Sequence, residues 1–157
     1  MNAYDIDLEM KILRSAVASP TRMSELRSLG GKNLFSFTAA LKIFNRANRI
    51  IQTTGQAPKW NELCHDARIP ESIRDIMPEQ RKPIKKFKEF KRSANQLIDY
   101  ARIRAGAGAA LEISELMKEE SVDPDEITAI LAKGASESQE IVAVSYTHLT
   151  LPTIYSV

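Results

Sequence analysis

Cysteine, histidine and aromatic residues are scarce in this chain, and each scarcity removes a class of function. Of 157 residues, one is cysteine (Cys64) and two are histidine (His65 and His148). A single cysteine cannot close an intrachain disulfide, so the fold has to rest on a packed core, and a reducing compartment fits. The histidines lie far apart with no ligand spacing around them, and neighbours such as Cys64 and His65 point to different faces of a helix. A metal centre is therefore not expected. Aromatics make up only 6% of the residues, which leaves the core to aliphatic side chains. No apolar run approaches the roughly 18 residues of a membrane helix, and the first residues carry no basic-then-apolar signal. A cytoplasmic protein with no membrane partner is the expectation. Charge of one sign is missing too: 22 basic residues face 20 acidic ones, a formal net charge of +2. Such a balance does not demand a polyanionic partner, so any nucleic-acid argument rests on where the charges cluster.

What is present is helical periodicity. Ile6, Met10, Leu13 and Val17 recur at helical spacing, widened by Leu8 and Ile12, and Asp5 and Asp7 sit where carboxylates cap free amides. Ser19-Pro20 ends this helix and opens a second, with Met23, Leu26 and Leu29 as its apolar face and Gly30-Gly31 as its stop. Ser36 or Thr38 is placed to cap a third helix that buries Phe37, Leu41, Phe44, Ala47 and Ile51, with Ile43 and Ile50 alongside, and ends at Gly55. Short helices are predicted at 60–67 and 70–77, and a long one from about Pro83 to Glu119. Asp123-Pro124-Asp125-Glu126 has the form of a capped restart, leading to a last helix with Ile127, Ile130 and Leu131 on one face. The predicted fold is all-α: a small helical bundle over 1–80, then a long helix and αα-hairpin over 81–133, then the start of a linker at 134–143.

The end of the chain breaks with this pattern. Residues 144–157 contain no Asp, Glu, Lys or Arg and favour β-branched types. Taken alone they suggest one strand with no partner, a bare edge. The run Val144-Ser-Tyr-Thr-His-Leu-Thr-Leu-Pro-Thr153 resembles instead the conceptual translation of a transposase-based sequencing adapter. The tail is therefore expected to be non-native, and it plays no part in the fold reasoning.

Three clusters invite a chemical reading. Arg104-Ala-Gly-Ala-Gly-Ala-Ala110 is rich in glycine but lacks the Gly-Lys-Ser/Thr of a phosphate loop and the third glycine of a dinucleotide fold. Glycine inside a helix costs roughly 1 kcal/mol relative to alanine, so Gly106 and Gly108 need a reason; close helix–helix approach in a hairpin or oligomer interface is the favoured one, and a kink at this point is the other. The face that follows Ile98, Ala101, Ala105, Ala109, Ile113 and Leu116 is the candidate contact surface, with Ile127, Ile130 and Leu131 on the opposing arm. The stretch from Arg81 to Arg92 holds seven basic residues against Glu89, with Phe87 and Phe90 interposed. Lys82, Lys85, Lys86, Lys88, Lys91 and Arg92 form a strip able to neutralise a nucleic-acid backbone. The plainer reading is a solvated helix face with both phenylalanines turned inward. Glu112, Glu115, Glu119 and Glu120 cluster without a histidine, which suits a solvated face or ion pairs better than acid–base chemistry.

A family resemblance orders these features. Glu9 and Leu13, then Phe35, Ile43, Phe44, Ile50 and Gly55, match the N-terminal domain of DnaB-type replicative DNA helicases. That domain typically begins with Glu-x-x-x-Leu-Gly and continues with Phe-Tyr-x-x-x-His-x-x-Ile-Phe. The chain departs at Arg14 for the glycine, Ser36 for the tyrosine and Ala40 for the histidine. Tyr100–Arg104 and Ala110–Leu116 resemble the first arm of the family's hairpin, and Asp123–Ala132 its second. The resemblance implies a collar in which hairpins pair subunits of a ring and primase docks, within DNA replication. It assigns ATP, Mg and most DNA contact to a following motor domain that this sequence does not contain. The segment itself would then be non-catalytic and hold no cofactor. Two alternatives stay open: a stand-alone DNA-binding protein using the 81–92 strip, and the helicase-docking domain of a primase.

Overall fold

The structure is a computed structural model that describes residues 4–119 and 121–137. All regular structure among these residues is helical. In chain order the helices are α1 (Ile6–Val17), α2 (Pro20–Leu29), a 3-10 turn (Gly31–Leu34), α3 (Thr38–Thr54), α4 (Trp60–Cys64), α5 (Glu71–Arg74) and α6 (Phe87–Leu116). A last helix, α7, covers 124–137.

Local chemistry explains most boundaries. The Asp5 carboxylate accepts the Leu8 backbone N–H at 3.0 Å, a cap of the kind that stabilises a helix by about 1 kcal/mol. Ser19 caps α2 through its hydroxyl, with Pro20 at the first helical position. Gly55 closes α3 in the left-handed region at φ 72°, its N–H donating to Ile51 O at 2.8 Å. At Asp123 the side chain accepts the Asp125 N–H at 2.9 Å, and Pro124 begins α7 as the sequence indicates.

Helix α1 lies at the centre and touches α2, α3 and α6. Met10, Ile12, Leu13, Ala16 and Val17 from α1 are buried against Met23 and Leu26 of α2, Ile43, Phe44 and Ala47 of α3, and Phe90, Ala94 and Leu97 of α6. At 30 residues, α6 is about 45 Å long. Its first half belongs to this core and its second half runs on into the hairpin.

Several predicted details change. Ile6 is half exposed, because the buried stripe of α1 starts one turn later and includes Glu9, which is only 1% exposed. Neither Ser36 nor Thr38 caps α3. The cap residue is Phe37, and the Glu9 carboxylate reaches across to accept the Ser36 N–H and hydroxyl, both at 2.7 Å, and the Phe37 N–H at 3.1 Å. In α3, Ala39 and Ala40 are buried, while Leu41 and Ile50 are only partly so.

The two short helices are shorter than the pattern suggests, and α6 starts at Phe87 rather than near Pro83. Residues 78–86 have no helix because their backbone is tied to the bundle. Trp60 Nε1 donates to Pro78 O at 3.3 Å and Arg14 Nε to Arg81 O at 3.0 Å. Ile84 N–H donates to Ser15 Oγ at 2.6 Å, while Arg22 donates to Ile84 O and, at 2.7 Å, to Lys85 O. These contacts hold the segment against the bundle in a non-helical course. The expected linker at 134–143 is still helical up to residue 137; residues 138–143 and the 144–157 tail lie outside the described residues.

Candidate interaction surfaces

The first surface is the hairpin. After Leu116 the chain turns through Met117 N–H to Ile113 O (2.9 Å) and Glu119 N–H to Leu116 O (3.1 Å), then restarts at Asp123. The arms come closest where Gly134 meets Ala109: a Cβ added at Gly134 would lie 2.5 Å from the Ala109 Cβ. Gly134 is the contact glycine of this hairpin. Gly106 and Gly108 are not, since a Cβ at either meets nothing within 4 Å, and the close approach expected of them between the arms is absent. Both sit inside α6, which runs unbroken through Arg104–Ala110.

Of the expected contact face, Ile98, Ala101 and Leu116 are buried, Ala105, Ala109, Ile113, Ile127 and Ile130 are partly buried, and Leu131 is exposed. Ile98 and Ala101 belong to the bundle core rather than to the hairpin seam. Large apolar groups left open are Ile103 beside the root and, further out, Leu111 (64% exposed), Met117 and Leu131 (55%). At the root, Arg104 donates to Leu34 O at 3.1 Å beneath the Tyr4 ring. Burial pulls the Arg104 guanidinium below its ordinary value, while Glu9 and Tyr4 push it back up.

The second surface is the basic strip. Lys82, Lys85, Lys86, Lys88 and Arg92 are exposed. Lys91 is drawn off: its Nζ lies 3.6 Å from Glu25 and 5.8 Å from the centre of the Phe87 ring. The two phenylalanines part company. Phe90 is fully buried beneath the Arg22 guanidinium, but Phe87 stays 42% exposed, contrary to the reading that turns both inward. Lys86 is the N-cap of α6 and offers no acceptor, so no side chain caps the helix.

Other clusters resolve structurally. Glu115 pairs with Lys118 at 3.0 Å on an exposed face, Glu112 and Glu119 are exposed, and Glu120 lies outside the described residues. Cys64 is buried with its thiol on Met77 O at 3.0 Å; burial raises its pKa, as does Glu79, while Arg14 lowers it. The exposed His65 ring meets Glu79 at 2.5 Å. Among the described residues no group of three His, Cys, Asp or Glu side chains could hold a metal ion, and no helix is long and apolar enough to cross a membrane.

Sequence reasoning missed the Glu9 lock and the Gly134 contact. Glu9 was visible as a charge at the 9, 12, 13, 16 spacing of a buried stripe. Gly134 carries no local signal, because its role depends on which residue faces it. No known protein family, curated protein or solved structure matches the chain.

Proposed function

We propose that this chain is an assembly module, the N-terminal collar domain of a DnaB-type replicative helicase, which pairs with copies of itself through the hairpin and docks primase. One observation carries the reading: the hairpin beyond its root exposes Leu111, Met117 and Leu131 although its seam is already closed at Gly134 and Ala109. Apolar groups on a protruding arm gain most from a second protein surface. The order of elements, a bundle followed by a hairpin, and the burial of Leu13, Phe35, Ile43 and Phe44 agree with the family resemblance. A second copy is favoured as occupant because a two-fold pairing of hairpins sets the same exposed apolar side chains on both sides of the contact.

Light scattering of the full chain across a concentration series tests the proposal, alongside a Leu111→Lys/Leu131→Lys double variant. The expected outcome is an oligomer that the double variant reduces to monomer with its helical content unchanged. A wild-type chain that stays monomeric at high concentration, and that does not bind a primase helicase-docking domain, would overturn it.

A further inference from the structure

We infer that the start of α6 and the strap leading into it form a binding site for single-stranded nucleic acid, with Phe87 as its stacking platform. Residues 82–92 carry six cations and one carboxylate, Glu89. Five of those cations, Lys82, Lys85, Lys86, Lys88 and Arg92, point into solvent, while Lys91 is occupied by Glu25.

The strip winds from an extended segment onto a helix, so its charges follow a path rather than a flat face. That extended path is fixed by the bundle, since Arg14 and Arg22 hold the carbonyls of Arg81, Ile84 and Lys85. A cationic track whose backbone is already held loses little further freedom when a polyanion lies along it.

Phe87 decides what kind of polyanion. Its neighbour Phe90 is wholly buried, and the two rings stack at 6.1 Å between centroids. Phe87 is therefore anchored on a core residue and shared with the Lys91 ammonium 5.8 Å from its ring centre, yet 42% of it stays in solvent, amid lysines. An exposed aromatic among basic side chains is the arrangement that takes an unpaired base, because every base offers a π-face while the cations track the phosphates. A duplex hides those faces and would meet only the charges. The first amides of α6, which no side chain caps, add a further donor set at the same place.

This site lies at the end of α6 away from the hairpin, and it stands whether or not the chain assembles. Fluorescence anisotropy of a labelled oligothymidylate, and of a duplex of equal length, titrated with the full chain at low salt, tests it. The single strand is expected to bind more tightly than the duplex, with affinity falling as salt rises by a log–log slope of about −3. Phe87→Ala and Phe87→Leu are each expected to weaken single-strand binding roughly ten-fold while leaving the duplex unchanged. Lys85→Glu/Lys86→Glu should weaken both. Retained affinity in Phe87→Leu, which keeps the apolar bulk, would remove the stacking role. Absence of single-strand binding at low salt overturns the proposal. So does binding to phosphatidylserine vesicles with none to the oligonucleotide, which would make the strip a lipid-facing surface.

Discussion

Between Phe90 and Ala101, helix α6 buries a side chain at every third or fourth position; between Ile103 and Glu115 it fully buries none. The near half meets α1 and α2 with Phe90, Ala94, Leu97 and Ile98 buried, whereas the far half faces α7 where Gly134 meets Ala105 and Ala109, with Ile113, Ile127 and Ile130 only partly buried. One continuous helix is thus held by a fully buried core at one end and by a seam of alanine, glycine and partly buried isoleucine at the other. Area removed from water scales with stabilisation, so the near half of α6 is held more firmly than the far half. The hairpin keeps large apolar groups that its own chain does not cover.

The sharpest break in this comparison comes from truncating one residue in each half. Phe90→Ala should cost about 3–5 kcal/mol of unfolding free energy in a denaturant titration. Leu111→Ala should stay within about 0.5 kcal/mol when measured on monomer. Equal losses would mean that the two halves are not held differently.

Glu9→Ala should come next. It strands the Ser36 and Phe37 amides at the start of α3, each of which loses a charged acceptor, for a total of about 2–3 kcal/mol. Glu9→Gln keeps one acceptor oxygen and should lose less, by the same titration. If both variants melt like wild type, the lock between α1 and α3 is not structural.

In the hairpin, Gly134→Ala forces a methyl onto Ala109 and should destabilise it by about 1–3 kcal/mol, with Ala109→Gly restoring the loss in the double variant. Gly106→Ala and Gly108→Ala have room and should each raise helix stability by about 0.5–1 kcal/mol. Hydrogen exchange along α6 and α7 reads both effects locally. A Gly106→Ala chain that gains stability yet loses self-association would place a partner's backbone against that glycine.

The smallest effect concerns Asp66, which sits 2.6 Å from Arg46. Burial alone would raise its carboxyl, but the hydrogen bonds and charges of Arg46 and Arg68 outweigh that and hold it below the ordinary carboxylate range. A carboxyl depressed in the folded state adds stability above its unfolded value, about 3.9, and loses it as pH falls through the lower folded value. Asp66→Asn should therefore cost less than about 1 kcal/mol at neutral pH and nothing once the wild-type group is protonated. Melting temperatures of both chains from neutral to acid pH should converge; a constant gap would sink the assignment.

How much was legible follows from these particulars. Asp5, Ser19-Pro20, Gly55 and Asp123-Pro124 mark their boundaries because a cap is made by residues two to four apart, so the chemistry is written in one short stretch. The stripes through Met10, Leu13, Met23, Leu26, Phe44 and Ala47 were readable for the same reason: helical spacing places them on one side whatever lies opposite. The basic strip was readable as composition, but its open ring was not.

Local spacing thus settled an all-helical chain, its turns and its restart after Asp123. Contacts between distant segments settled the rest. Glu9 had to meet Ser36 across 27 residues, Arg22 had to draw the strap at Ile84 and Lys85 across more than 60, and Gly134 had to arrive opposite Ala109. Phe87 and Phe90 share a type and a neighbourhood, yet only one finds the core beneath it. Such outcomes depend on which surface comes to lie against a residue, and that is a property of the packed chain rather than of any short stretch within it.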